Sequence, residues 1–244
     1  MKFKVIDALS IASIFKTLGS LMPEVTVLGL KEGLRISGID PARVAFVDVF
    51  IPQGYFHEYE SGEKELVTVK LEEVINSLKY VKKTDSLSFQ TTEDRMLINL
   101  DGDFERTFHL PLLSGEEPKT PSIKLEFPFK AKLLTSTFSE ALTVLADMGD
   151  SVNFSSQEGK LALSVEGDVG RTRIELSEEA GTLLEASGTE SSSSYGMNYV
   201  FSTAKMRNSS DVVEVMFGSQ LPLKLRFQLP QEGYGDFYIA PRAE

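Results

Sequence analysis

Cysteine is absent from all 244 residues, and histidine occurs only twice, as His57 and His109. Without thiols there can be no disulfide, no thiolate nucleophile and no cysteine-ligated zinc. Two imidazoles are too few for a histidine-built metal site or a proton relay. No window approaches the roughly 18 to 20 consecutive apolar residues of a membrane span. The first residues, MKFKVIDALS, also lack the apolar run of a signal peptide, so a cytoplasmic protein is expected. Neither a GxxxxGK[ST] phosphate loop nor a GxSxG nucleophile elbow is present. The expectation is therefore a non-enzyme: catalytic residues none, metal none, cofactor none. Asp40, Asp101, Asp103 and Asp236 are read as turn residues rather than paired catalytic acids.

What is present fits two domains. A chain of this length with 41% hydrophobic residues can fill two cores of roughly 120 residues each. The net charge of −11 opposes broad binding to phosphates, so any contact with nucleic acid has to come from a local basic stripe.

The chain repeats itself. A shift of 126 positions brings Phe3-Lys4 onto Phe129-Lys130, Ser10 onto Ser136, Ser13 onto Ser139 and Thr17 onto Thr143. The same shift, with no insertion, brings Met22 onto Met148, Glu32-Gly33 onto Glu158-Gly159, Asp85 onto Asp211 and Leu97 onto Leu223. Each half reads as a strand, an amphipathic helix, several strands, a second helix and more strands.

Ile11, Ile14, Phe15, Leu18 and Leu21 or Met22 define the apolar stripe of the first helix, with Pro23 as its end. A second helix is expected over Leu71–Val81, apolar at Leu71, Val74, Ile75 and Leu78, with Asn76, Lys79 and Lys82 on its outer side. A Thr137–Glu140 capping box is expected to open the third, which buries Phe138, Ala141, Leu142, Leu145 and Met148 and stops at Gly149. The fourth is placed over Asn198–Met206, preceded by a serine loop at Ser191–Ser194. Lys31-Glu32-Gly33, Asp101-Gly102-Asp103 and Gln157-Glu158-Gly159 read as hairpin turns in which glycine supplies a positive φ. Domain boundaries are expected at 1–113 and 127–244, joined by a connector over 114–126.

Three stretches resemble the sliding clamp family called proliferating cell nuclear antigen, most closely its archaeal members. They are Leu34-Arg35-Ile36-Ser37-Gly38-Ile39-Asp40 with Arg43-Val44, the run Phe217-Gly218-Ser219-Gln220-Leu221-Pro222-Leu223-Lys224-Leu225, and Gly233-Tyr234-Gly235-Asp236-Phe237-Tyr238-Ile239-Ala240-Pro241. The resemblance covers the whole chain. It implies an α+β DNA clamp fold: two similar domains, each with two inner helices and outer antiparallel sheets, in chains that close a trimeric ring around duplex DNA. It also implies partners: other clamp subunits, a clamp loader, DNA polymerase, flap endonuclease and DNA ligase.

By the same resemblance, Lys16, Lys79, Lys82, Lys83, Lys205 and Arg207 would face DNA. Ile39, Val44, Pro222, Tyr238, Ala240 and Pro241 would line a pocket for partner peptides beside the connector residues Glu117, Pro118, Thr120 and Pro121. Thr107, Phe108, His109 and Leu110 on one edge, and Arg173, Ile174 and Glu175 on another, would join subunits. The third helix carries Glu140 and Asp147 and no base, which points to a ring of non-identical chains; the resemblance itself implies a cytoplasmic, nucleoid-associated location. A checkpoint-type clamp is the alternative within the family. An α+β repeat enzyme or a carbohydrate-binding module is the alternative outside it.

Overall fold

The computed structural model describes residues 1–118, 123–167 and 170–242. Two compact units are present. The first comprises Met1–Pro41, Val47–Pro121 and Leu229–Gly235; the second comprises Ala42–Phe46, Ser122–Gln228 and Asp236–Glu244.

The first half of the chain runs β1 (Lys2–Val5), α1 (Ala8–Leu18), β2 (Glu24–Leu30), β3 (Gly33–Ile39), β4 (Ala45–Pro52), β5 (Glu58–Glu60), β6 (Lys64–Lys70), α2 (Leu71–Ser77), β7 (Ser86–Thr91), β8 (Arg95–Asp101) and β9 (Arg106–Pro111). The second half repeats that order. It runs β10 (Phe129–Leu134), α3 (Thr135–Leu145), β11 (Ser151–Gln157), β12 (Lys160–Gly167), β13 (Gly170–Leu176), β14 (Glu185–Gly188), β15 (Ser191–Gly196), α4 (Met197–Ser202), β16 (Val212–Phe217), β17 (Leu223–Leu229) and β18 (Gly233–Ile239). Strand orders repeat as well. The orders β5-β1-β7-β8-β9 and β6-β2-β3-β4 are matched by β14-β10-β16-β17-β18 and β15-β11-β12-β13.

Alternation builds the sheets. Along β8, Met96, Ile98 and Leu100 are buried while Arg95, Leu97 and Asn99 turn outward; along β17, Leu223, Leu225 and Phe227 are buried between Lys224 and Arg226. On the helices, Ile11, Ile14, Phe15 and Leu18 of α1 and Phe138, Ala141, Leu142 and Leu145 of α3 fill the two cores. Asp7 caps α1 by accepting from the Ser10 amide at 3.2 Å. Gly19 lets α1 approach α2, because a Cβ there would lie 2.2 Å from Ile75 Cδ1.

The repeat does not run at one fixed shift. Ser86 of β7 corresponds to Val212 of β16 at 126 residues, but Ala8 of α1 corresponds to Thr135 of α3 at 127, and Arg95 of β8 to Leu223 of β17 at 128. The first hairpin closes on Leu30 opposite Gly33, and its counterpart on Gln157 opposite Lys160, again 127 apart. Short insertions therefore separate the copies, and Glu32-Gly33 and Leu97 are not equivalent to Glu158-Gly159 and Leu223. Burial shows the same for Leu97, which is half-exposed where Leu223 is fully buried. Asp85 and Asp211 do match. Their carbonyls accept the first amides of α1 and α3, from Ala8 at 3.1 Å and Thr135 at 2.8 Å.

Other expectations need correction. Thr137 lies inside α3, whose N-cap is Leu134 with no side-chain cap, so no capping box forms; the helix ends at Leu145, short of Gly149. Ser191–Ser194 is strand rather than loop: Ser191 and Ser193 are buried, and Asn153 Nδ2 donates to Ser192 Oγ and Ser194 Oγ, each at 3.1 Å. Pairing with β11 overrides the weak strand propensity of serine. Glu158 and Gly159 have φ of 50° and 76°, and Gly33 has 149°, but Gly102 has no positive φ. Gly102 is required by crowding instead, since a Cβ there would meet Asp85 Oδ1 at 2.1 Å.

In the second unit Tyr195 is fully buried, edge-on to Phe154 at 5.6 Å, and its hydroxyl donates to the Leu221 carbonyl at 2.9 Å. Burial pushes its pKa up to about 12. The unfolded chain therefore loses this proton first, and stability falls as pH rises from about 10 towards 12. In urea unfolding followed across that range, Tyr195→Phe is expected to show a shallower decline than wild type, with a loss of about 1 kcal/mol near neutral pH for the missing hydrogen bond. Parallel pH curves would contradict this.

Candidate functional site

Of the six strands that end sheets among the described residues, β5, β6, β9, β13, β14 and β15, two carry the residues expected at subunit contacts. β9 closes one end of its five-stranded sheet in the first unit, and β13 one end of its four-stranded sheet in the second. On β9, Phe108 and Leu110 lie opposite the buried Ile98 and Met96, so they share the core face and are half-buried, whereas Thr107 and His109 are exposed. On β13, Ile174 lies opposite buried Leu163, while Arg173 and Glu175 point outward and are exposed. All seven residues expected at subunit contacts thus sit on these two edges.

The corresponding strands of the repeat are not left open. β18 corresponds to β9 and β4 to β13, and β18 has β4 as a neighbour. Within the second unit the Ala240 amide donates to the Val44 carbonyl at 2.8 Å, and the Tyr238 and Phe46 rings lie 5.8 Å apart. Within the first, the Tyr234 hydroxyl donates to Asp48 Oδ2 at 3.3 Å.

The basic residues fall on loops more than on helices. α2 ends at Ser77, so Lys79, Lys82 and Lys83 lie on the connection to β7, all exposed. Lys79 Nζ stands 5.4 Å over the Tyr80 ring, and Lys82 Nζ is 2.5 Å from Asp103 Oδ2. That contact raises the Lys82 pKa and lowers that of Asp103. Lys205 and Arg207 lie on a 3₁₀ turn, Thr203–Asn208, which replaces the expected end of the fourth helix. Lys16 is half-buried in the last turn of α1, where its charge suits the helix dipole. α3 exposes Glu140, and Asp147 follows just beyond its end.

A buried ion pair holds the lysine loop. Asp85 is 1% exposed, accepts the Lys82 amide at 3.0 Å and pairs with Arg106 Nη2 at 2.7 Å. Arg106 is the first residue of β9, so one side chain ties the loop to the open edge. The sequence reading missed this pair, and an aspartate directly before the apolar alternation of β7 was the available signal.

Around the expected peptide pocket, Tyr238 packs under Lys224, whose Nζ lies 5.1 Å from the ring centroid. Asp236 belongs to β18 rather than to a turn. It is 4% exposed, accepts from Arg226 Nε and Nη2 at 2.7 Å each, and lies 3.1 Å from Lys224. These cations were also missed; charges alternating with buried Leu223, Leu225 and Phe227 mark the outer face of β17. Pro222 is half-buried, and Pro241 bridges to Tyr195. In the first unit, 49%-exposed Ile39 lines a cleft of 290 Å³ with Ser114 and Gly115 at the start of the connector. Of the connector residues, Glu117 is ion-paired with Lys64 and Pro118 is half-buried, while Thr120 and Pro121 lie outside the described residues. Asp40 follows β3 and is buried, and Asp101 ends β8. No group of three or more His, Asp or Glu that could hold a metal occurs among the described residues.

A duplicated α+β fold with edge strands β9 and β13 and basic residues on loops is the architecture of a ring-forming clamp subunit. Residues 124–242 match the family model "Proliferating cell nuclear antigen, C-terminal domain". The chain is 53% identical to "DNA polymerase sliding clamp 2" of Saccharolobus solfataricus, with both chains covered in full. It superposes at a TM-score of 0.95 on a chain of the PCNA2–PCNA3 complex from Sulfolobus tokodaii, 51% identical with both chains fully covered. It also superposes at 0.89 on PCNA from Thermococcus kodakaraensis, 28% identical with 99% of each covered. This chain belongs to the DNA polymerase sliding clamp family, the proliferating cell nuclear antigens.

Asp85 is the buried charge on which the loop depends. Asp85→Ala strands Arg106 and frees the Lys82 amide, and is expected to lower the unfolding free energy by about 3 kcal/mol. Lys82→Ala, which removes an exposed pair, is expected to change it by less than about 0.5 kcal/mol. Equal effects of the two in urea unfolding would show that the loop is not held in this way.

Proposed function

We infer that this chain is one subunit of a three-membered DNA sliding clamp, a processivity factor that encircles duplex DNA and docks replication and repair enzymes through short peptides. The observation that carries the reading is the pair of open edges. β18 beside β4 is the paired form of what β9 and β13 offer singly, so β9 of one chain completes β13 of the next. Three such joints close a ring and satisfy every open edge of this kind. No catalytic role is assigned, since the chain acts by topology and the ATP needed to open a ring belongs to a separate loader.

Lys79, Lys82, Lys83, Lys205 and Arg207 are assigned to the DNA-facing side, with Lys16 as a minor contributor. Their spacing on loops suits a weak, sequence-independent contact that lets the clamp slide. The acidic remainder of the chain discourages binding elsewhere on its surface. The neighbours in the ring are taken to be non-identical clamp chains. The relative of known structure described as a PCNA2–PCNA3 complex supports this reading, as does the absence of Lys and Arg from α3.

Ile39, Val44, Pro222, Tyr238, Ala240 and Pro241 are assigned to the partner-peptide pocket, with Glu117, Pro118, Thr120 and Pro121 on the connector beside it. An extended peptide from a polymerase, flap endonuclease or ligase would lay apolar side chains against Tyr238 and Pro241. Tyr238→Ala with Pro241→Ala is expected to cost about 2 kcal/mol, some thirtyfold in affinity, for such a peptide in calorimetry, and to leave ring assembly intact. Unchanged affinity would remove the pocket from these residues.

A further inference from the structure

We propose that the β13 edge is built to receive an acidic edge strand from a non-identical clamp chain, with Arg171 and Arg173 as the residues that discriminate against this chain's own β9. The proposal deepens the assembly reading above and rests on it.

The two edges present defined faces. Thr172, Ile174 and Leu176 of β13 stand opposite Val165, Leu163 and Leu161, all buried, so the other face carries Arg171, Arg173 and Glu175, all exposed. Phe108 and Leu110 of β9 stand opposite buried Ile98 and Met96, so its other face carries Thr107, His109 and Pro111. When two edges join with their cores on one side, these outer faces become neighbours. The Phe46–Tyr238 contact shows that relation for β4 and β18, since both rings come from outer-face positions.

Charge then decides the fit. On β13, Glu175 is already engaged by Lys160 at 2.9 Å and Arg173 at 3.5 Å, and the Lys160 contact holds its carboxyl below the usual range. Arg171 contacts Ser164 Oγ at 3.3 Å and forms no ion pair among the described residues. Glu166 stands opposite Arg171 on the same face, so Lys160, Arg171 and Arg173 face two carboxylates, Glu166 and Glu175, and one positive charge is left over. β9 offers it no carboxylate: Thr107 donates to Asn99, His109 is an exposed imidazole, and Pro111 is apolar. The nearest acids flank the strand and are engaged, Asp94 with Arg95 at 3.5 Å and Glu105 with Asn99 at 2.9 Å. A copy of this chain would therefore bring Arg171 and Arg173 to the joint with no carboxylate from the outer face of β9 to meet them. A neighbour with Asp or Glu on the outer face of its edge strand would match them. Opposite charges across neighbouring strands are favourable and unmatched buried ones costly.

The test needs only this chain. Thr107→Glu with His109→Glu gives β9 the missing carboxylates, and both positions are exposed, so thermal unfolding is expected to stay as in wild type. By native mass spectrometry and sedimentation at low salt, wild type is expected not to trimerise. The double variant is expected to self-associate with a dissociation constant about tenfold lower or better. Adding Arg171→Glu and Arg173→Glu should abolish the gain, and salt should weaken it. A double variant that associates no better than wild type overturns the charge inference while leaving the heteromeric ring in place. So does a gain that survives the arginine replacements. A closed trimer of the wild-type chain alone overturns both.

Discussion

Unsatisfied backbone at a sheet edge is the constraint on which the rest of this structure depends. Each strand of a sheet carries N–H and C=O groups on both sides, and an edge strand leaves one row facing outward. β9 and β13 are such edges, half-apolar on the core face through Phe108, Leu110 and Ile174. Nothing short, charged or proline-broken protects β9 along most of its length; Pro111 comes only at its end. A strand of that kind is a liability in isolation and an interface in an assembly. The repeat shows the resolved form of the same edge where β18 lies beside β4.

Charge is layered on this frame. Asp85 and Arg106 join the lysine loop to β9, so the part of the chain assigned to DNA and the part assigned to a neighbour share one buried ion pair. Asp236 with Arg226 and Lys224 does comparable work on β18, fixing the strand that carries Tyr238. Both pairs bury a carboxylate almost completely, so each position strongly resists loss of one partner. By contrast, Lys82–Asp103 and Lys160–Glu175 lie on the surface and shape local potential without holding the fold.

Much of the fold was legible in the sequence because duplication doubles every signal. The apolar stripes of α1 and α3 and the alternation in β8 were readable from residue type alone. The exact shift was not. Sparse identities favoured 126, whereas helix ends and hairpin registers require 127 over α1 and the first hairpin, and a single inserted residue leaves little trace in composition. Ser191–Ser194 escaped because strand formation there comes from the neighbour β11, a non-local cause. Lys79 and Lys82 were assigned to a helix that stops at Ser77, since the apolar periodicity runs on through Leu78, whose amide still bonds the Val74 carbonyl, and nothing in residue type marks the end. The edge residues were legible only through family resemblance. Which of them bear charge towards a neighbour becomes visible once the faces of β9 and β13 are fixed by their pairing.

Topological linkage is the central claim, and retention on DNA of defined ends tests it most directly. A ring assembled from this chain and its non-identical neighbours, loaded onto closed circular duplex and passed through gel filtration at moderate salt, should stay with the DNA. A single cut that linearises the circle should release it within minutes, with no change in salt or sequence. Retention that is indifferent to the cut would mean that the chain binds a groove or a backbone site, and would contradict the account.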